Sequence, residues 1–302
     1  MPALTTYWTP LLKIHFTKSP LSPIMEPMKY RNLFLFSEEM RLFAFGCCLV
    51  VILVLTSGTV SAADSLAASP ARPQRPFNPG ERLTYTISWS KIISAGTAVM
   101  EVRKENTEGG REVFRFISTA RTSGMVDSVY PVRDTVQSLF DPRTMESLSY
   151  SLDQSHGKRK KQREIVFDHV AGTVAFTENG KKEIMAITRQ TQDALSSLYF
   201  LRTKTVFIVG KPIFFDIHDS GKNWSVEVHV LGREKLKTPL GEFDTIKVKT
   251  YPKYEGVFMN KGEIFIWLTD DSRKIPVLMK STITIGSIVS SLTAMKLGDE
   301  AP

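Results

Sequence analysis

ERLTYTISWS, Glu81 to Ser90, decides the fold class. Leu83, Tyr85, Ile87 and Trp89 alternate with Thr84, Thr86, Ser88 and Ser90. Successive side chains of an extended chain point to opposite faces, so this period of two describes a strand with one apolar and one polar side.

Outward from this stretch the same signal recurs. Strands are expected at 96–104, 111–120, 132–140, 145–154, 163–169, 173–177 and 182–188, and again at 212–219, 224–231, 243–251, 262–269 and 275–285. Glu108-Gly109-Gly110, Asp141-Pro142 and Glu178-Asn179-Gly180 separate them, and Asn-Gly between apolar runs favours a tight hairpin turn. One stretch breaks the pattern. In TQDALSSLYFLRT, residues 191–203, Leu195, Leu198, Tyr199 and Arg202 fall at helical spacing, with Thr191 or Asp193 as N-cap. The expected fold is mainly β: a strongly curved antiparallel sheet, or an open or half β-barrel, forming one domain over 77–297 and covered by one short helix.

The chain has 302 residues, 42% of them hydrophobic, which suffices for a core of this size. Its first 63 residues are of another kind. From Met40 a basic start leads into an apolar run and the small residues Ser61, Ala62 and Ala63. That order is that of a signal peptide over 40–63, cleaved near Ala62 or Ala63 into the periplasm. The alternative is an inner-membrane anchor over 42–60, just long enough to span. Residues 1–39, rich in proline, read as an extended leader or a start assigned upstream of Met28 or Met40. Residues 64–79 read as a flexible linker.

Both cysteines, Cys47 and Cys48, lie in the apolar run, so the exported part has no thiol chemistry. The formal charge is +8, which suits anionic envelope surfaces; export argues against nucleic acid as partner.

No nucleophile-elbow, phosphate-loop or zinc-helix motif occurs, and no catalytic residue, cofactor or metal is assigned. The hairpin DIHDSGKNWSVEVH, 216–229, with a turn at Gly221-Lys222, would set Asp216 opposite Glu227 and His218 opposite Ser225, with His229 continuing the same face. That is either a polar metal face or the solvent side of an amphipathic hairpin. The run HGKRKKQRE supplies Lys158, Arg159, Lys160, Lys161 and Arg163 as an anionic-surface contact, or as a solvated hairpin tip. Tyr85, Ile87, Trp89, Phe114, Phe116, Phe243, Phe265 and Trp267 form either core or the lining of an apolar ligand face. In WLTDDSRKIPVLM, 267–279, adjacent Asp270 and Asp271 point to opposite sides of an extended chain, so they mark a turn rather than an acid-base pair.

FNPGERLTYTISWSKIISAGTAVMEV, DALSSLYFLR, TPLGEFDTIKV, WLTDDSRKIPVLM and IGSIVSSL, taken in order, resemble the uncharacterised envelope family known as domain of unknown function 3108. The resemblance covers about 77–297 and implies an exported β-rich domain with no established catalytic residues. The Trp-acidic turn-Pro element is also similar to one in periplasmic lipoprotein carriers, which are half-barrels closed by helices; this is analogy of fold alone.

The expected function is that of an exported, non-enzymatic envelope protein holding an apolar or lipid-like ligand on its concave face. The alternatives are a structural or assembly factor of the envelope acting on a protein partner, and a hydrolase with a site outside the known motifs. Membrane contact through the leader is expected if it stays uncleaved.

Overall fold

Alternating sequence of this kind builds strands, and strands pair until their edges are used or covered. The computed structural model describes residues 75–254, 257–258, 263–283 and 286–298. The leader, the signal or anchor segment and the linker up to residue 74 lie outside the described residues.

The elements are β1 (Arg82–Trp89), β2 (Ile93–Asn106), β3 (Glu112–Thr122), α1 (Gly124–Val129), β4 (Val132–Asp141), β5 (Glu146–His156), β6 (Arg159–Asp168), β7 (Thr173–Glu178) and β8 (Lys181–Ala186). Then come α2 (Ser196–Arg202), β9 (Ile213–Asp219), β10 (Lys222–Thr238), β11 (Gly241–Tyr254), β12 (Val257–Phe258), β13 (Ile264–Thr269), β14 (Pro276–Thr282) and β15 (Ser287–Lys296).

One antiparallel sheet contains all these strands, in the order β8-β7-β6-β5-β4-β3-β2-β1-β15-β14-β13-β11-β10-β9, with β12 paired to β11. It is therefore two meanders joined where the first strand meets the last. The sheet does not close as a ladder. Its two ends meet through the segment after β8: Gln192 donates its N–H to the Asp216 carbonyl (2.9 Å) and accepts from the His218 N–H (2.8 Å).

This bridge explains why the helix is shorter than its spacing suggests. Residues 191–193 are held against β9, and the helical turns begin at Ser196. Two further departures have local causes. The strand expected over 275–285 ends at Thr282 as β14, and β15, which was not expected, follows from Ser287 just after Gly286 at φ +86°. A second helix, α1, buries none of its residues, so it leaves no apolar stripe to read.

Directly paired residues share a face. The rows Tyr85-Ala98-Ala120-Asp134 and Val102-Phe116-Ser138-Tyr150-Ile165-Phe176 lie on the inner side. So does Val248-Ile266-Met279-Ser290-Ile87. α2 rests on this inner side and touches both meanders: Tyr199 and Leu195 join the cluster around Phe116 and Phe140, and Leu201 joins Val228, Val248 and Ile266. A helix touching both halves of one face means that face is concave.

Candidate functional site

The concave face is fastened to its helix by charge as well as by packing. Phe116 and Tyr199 stack with ring centroids 3.7 Å apart, and Phe77 meets Tyr199 edge-on at 5.1 Å. Arg202 holds Glu81 at two points, 2.6 and 2.8 Å, and also donates to the carbonyls of Pro76 (2.8 Å) and Arg273 (3.1 Å). Both side chains are buried. Burial works against the guanidinium charge, but Glu81 outweighs it and holds the Arg202 pKa above its ordinary value.

At the other end of α2, one oxygen of Asp193 accepts from the Leu195 and Ser196 N–H groups (2.7 and 2.8 Å). Its second oxygen accepts from the Ser138 hydroxyl at 2.5 Å and from the Ser147 hydroxyl. Burial raises its pKa, and hydrogen bonds from Ser138, Ser147 and Ser196 pull it back in part. Asp193 is one of the two cap residues read from the sequence, but its bonds to Ser138 and Ser147 and the Arg202–Glu81 pair are not. The available signal was an arginine in register with an otherwise apolar helical stripe, which requires a buried carboxylate.

The eight residues expected on one ligand face do not share one face. Tyr85, Phe114 and Phe116 are fully buried on the inner side; Ile87 is buried beside them, and Trp89 is half-buried in line with them. The row Lys247-Trp267-Leu278-Ser291-Thr86 puts Trp267 on the outer side, together with Phe265 and Phe243. There the β10–β11 hairpin covers it: Trp267 donates its indole N–H to Glu234 at 2.5 Å, and Leu236 and Phe243 pack beside it. The bulges at Thr84/Tyr85 and Trp267/Leu268 shift the cross-strand register, which alternation within a single strand does not reveal.

The basic run also divides. Arg163 faces inward, buried, and binds Glu178 (3.0 Å) and Asp219 (2.5 Å), tying β6 to β7 and to the β9 end of the sheet. Arg163 is therefore an internal tie and not a surface contact. Lys161 pairs with Glu178 at 2.7 Å. Lys158, Arg159 and Lys160 are exposed. The outward Lys160 lines an outer cleft of about 450 Å³ with Arg133, Thr135, Asp153, Ser155, Gln162 and Asn179, and Lys161 borders it although alternation sends its side chain inward to Glu178. This cleft is polar, with basic residues and the acid Asp153 along its walls.

Other candidate chemistry resolves into structure. The β9–β10 turn is Ser220-Gly221, at φ +54° and +69°, so Asp216 opposes Ser225 and His218 opposes Asn223, two residues away from the expected register. Among the described residues no group of three His, Cys, Asp or Glu is placed to hold a metal. His218 points into the seam against Phe167 and Phe176, bonded to Asn223 at 2.7 Å, and burial lowers its pKa. His169 bonds the Ser147 carbonyl (2.7 Å), while the Ser147 hydroxyl donates to Asp193. That hydroxyl is not presented to an imidazole base. His156 meets both oxygens of Asp134 at 2.9 Å, buried on the inner side. Asp271 accepts from the Thr269 hydroxyl and from the N–H groups of Arg273 and Lys274, whereas Asp270 turns away to Arg233. The adjacent acids form a corner, as expected.

The profile of the family of proteins of unknown function DUF3108 matches residues 84–293. The chain belongs to this family. No curated protein matches its sequence. In fold it is similar to a β-barrel-like protein of domain of unknown function DUF1849 from Brucella abortus, at 11% identity and TM-score 0.50, covering 72% of this chain and 98% of that one. It is also similar to an exported protein with YmcC-like fold from Bacteroides fragilis, at 11% identity and TM-score 0.29, covering 73% and 97%. A lipoprotein from Parabacteroides distasonis gives 10% identity and TM-score 0.31, covering 75% and 100%. Of the three, the first reaches the level of a shared fold. For this DUF3108 protein the mainly β, open antiparallel architecture thus stands on the structure and on a structural relative alike. Among the described residues no helix is long and apolar enough to cross a membrane.

Proposed function

We propose that this DUF3108 protein is an exported, non-enzymatic envelope factor that works through its outer surface. One observation carries the reading: its own helix occupies the concave side of the sheet. An acyl chain seated there would have to displace Tyr199 from Phe116 and part Arg202 from Glu81. Separating a buried ion pair without replacing either partner is strongly unfavourable. The outer side, by contrast, offers an open cleft with Arg133 and Lys160, suited to an anionic partner.

The second reading keeps the apolar ligand and treats α2 as a removable plug. It is favoured by the aromatic wall of Phe77, Tyr85 and Phe116, which would line a chamber if α2 left. Photo-crosslinkers at Gln162 in the cleft and at Leu152 on the inner face separate the two in cells. Crosslinks from position 162 to an envelope component, with a native mass spectrum of the protein alone, are expected. A lipid that co-purifies and crosslinks from position 152 overturns the proposal.

A further inference from the structure

One end of the barrel carries apolar side chains that the fold does not use. At the β1–β2 turn Ile92 is 84% exposed and Ile93 43%; on the neighbouring α1, Met125 is 85% and Val129 77% exposed. These are not loose tips. The Ser123 N–H donates to the Ala95 carbonyl at 3.0 Å, seating α1 beside β2. Asp127 is held by Arg133 at 2.6 and 2.8 Å and by the Thr122 hydroxyl at 2.6 Å. That contact pulls the Asp127 carboxyl down to about 2. A short helix fixed this firmly with its apolar residues outward presents them to something.

The same end is basic. The Gly157 N–H donates to the Pro131 carbonyl at 2.8 Å, so the β5–β6 turn abuts the segment after α1 and brings Lys158 and Lys160 beside it. Lys91 and Arg121, both exposed, flank the isoleucines, and Asp153 is the exposed acid in the neighbouring cleft.

Apolar prongs ringed by cations match the layered chemistry of an anionic bilayer, with a hydrocarbon boundary beneath negative headgroups. We propose that this end docks on an anionic membrane, Ile92, Ile93, Met125 and Val129 entering the interfacial layer and Lys91, Arg121, Lys158 and Lys160 meeting the headgroups. The proposal rests on the surface-contact reading and names its partner.

The test uses the full chain carrying a photo-reactive residue at Met125 or, as a control, at Val170, which is fully exposed at the opposite end of the sheet. Because the readout is positional, the leader does not determine it. With vesicles of phosphatidylglycerol and phosphatidylcholine, lipid adducts are expected from position 125 and at least about tenfold fewer from 170. Each of Lys158→Gln and Lys160→Gln should lower the yield at 125 on the order of fivefold at low salt. Equal yields at 125 and 170, or a yield at 125 indifferent to both substitutions and to phosphatidylglycerol, overturns the proposal. Cleft crosslinks from Gln162 in cells together with no lipid adduct at 125 would leave the surface-contact reading standing and this one refuted.

Discussion

Arg202, on the last turn of α2, grips both carboxylate oxygens of Glu81, the residue immediately before β1, at 2.6 and 2.8 Å. The Phe77 and Tyr199 rings lie 5.3 and 5.4 Å from the guanidinium carbon. The stretch whose alternation reveals the sheet is thereby the one that ties down the helix. Arg202→Met should destabilise the protein by about 3–5 kcal/mol, because Glu81 is left buried and charged. Urea denaturation measures this, and Glu81→Gln added to Arg202→Met should restore a good part of the loss.

Asp193→Ala removes the cap of α2 and strands the hydroxyls of Ser138 and Ser147 inside the barrel. A loss of about 2–4 kcal/mol is expected. The Tyr199 ring should become mobile on Phe116, visible as averaging of its aromatic NMR signals.

His218 gives the seam a pH dependence. Its pKa is lowered from 6.5 by burial, so the unfolded chain takes up a proton before the folded one does. The stability it contributes is complete above about pH 6.5 and is lost as pH falls from there through the lowered folded value. His218→Gln should flatten that part of the stability curve between pH 7 and 5, measured by thermal unfolding. An unchanged slope would place the titration elsewhere.

At the corner after β13 the two acids should behave differently. Asp271→Ala removes the acceptor for the Thr269 hydroxyl and for two backbone N–H groups and should cost about 1–2 kcal/mol. Asp270→Ala loses a half-exposed pair with Arg233 and should cost less than about 1 kcal/mol. Chemical denaturation of the two variants side by side checks the order.

Alternation made the strands legible because it is local: Leu83, Tyr85 and Ile87 report their own face without reference to anything else. What relates one strand's face to another's is register, and there the sequence is silent. Phe265 and Trp267 read as companions of Tyr85 until the bulges are counted through β14 and β15, which set them on the opposite side. Likewise HGKRKKQRE looks uniform in composition, yet it rounds a turn and enters β6. Alternate residues there face inward, and Arg163 becomes buried while Lys160 stays in water. α2 was readable from its stripe. Its true start was not, because Gln192 answers to β9, a strand distant in sequence.

The meeting of β1 with β15 governs how the chain can acquire its shape. Each meander can form from neighbouring hairpins as it appears, but the Thr293 hydroxyl reaches the Thr84 carbonyl across 209 positions, and the two halves share no strand ladder until the last strand is present. Long-range pairing of this kind is slow and leaves sheet edges bare in the interim. A nascent chain lacking β15 would hold two sticky half-sheets. The final ten residues of the fold therefore act as its zipper, and a chain truncated before Ser287 should aggregate rather than fold partway.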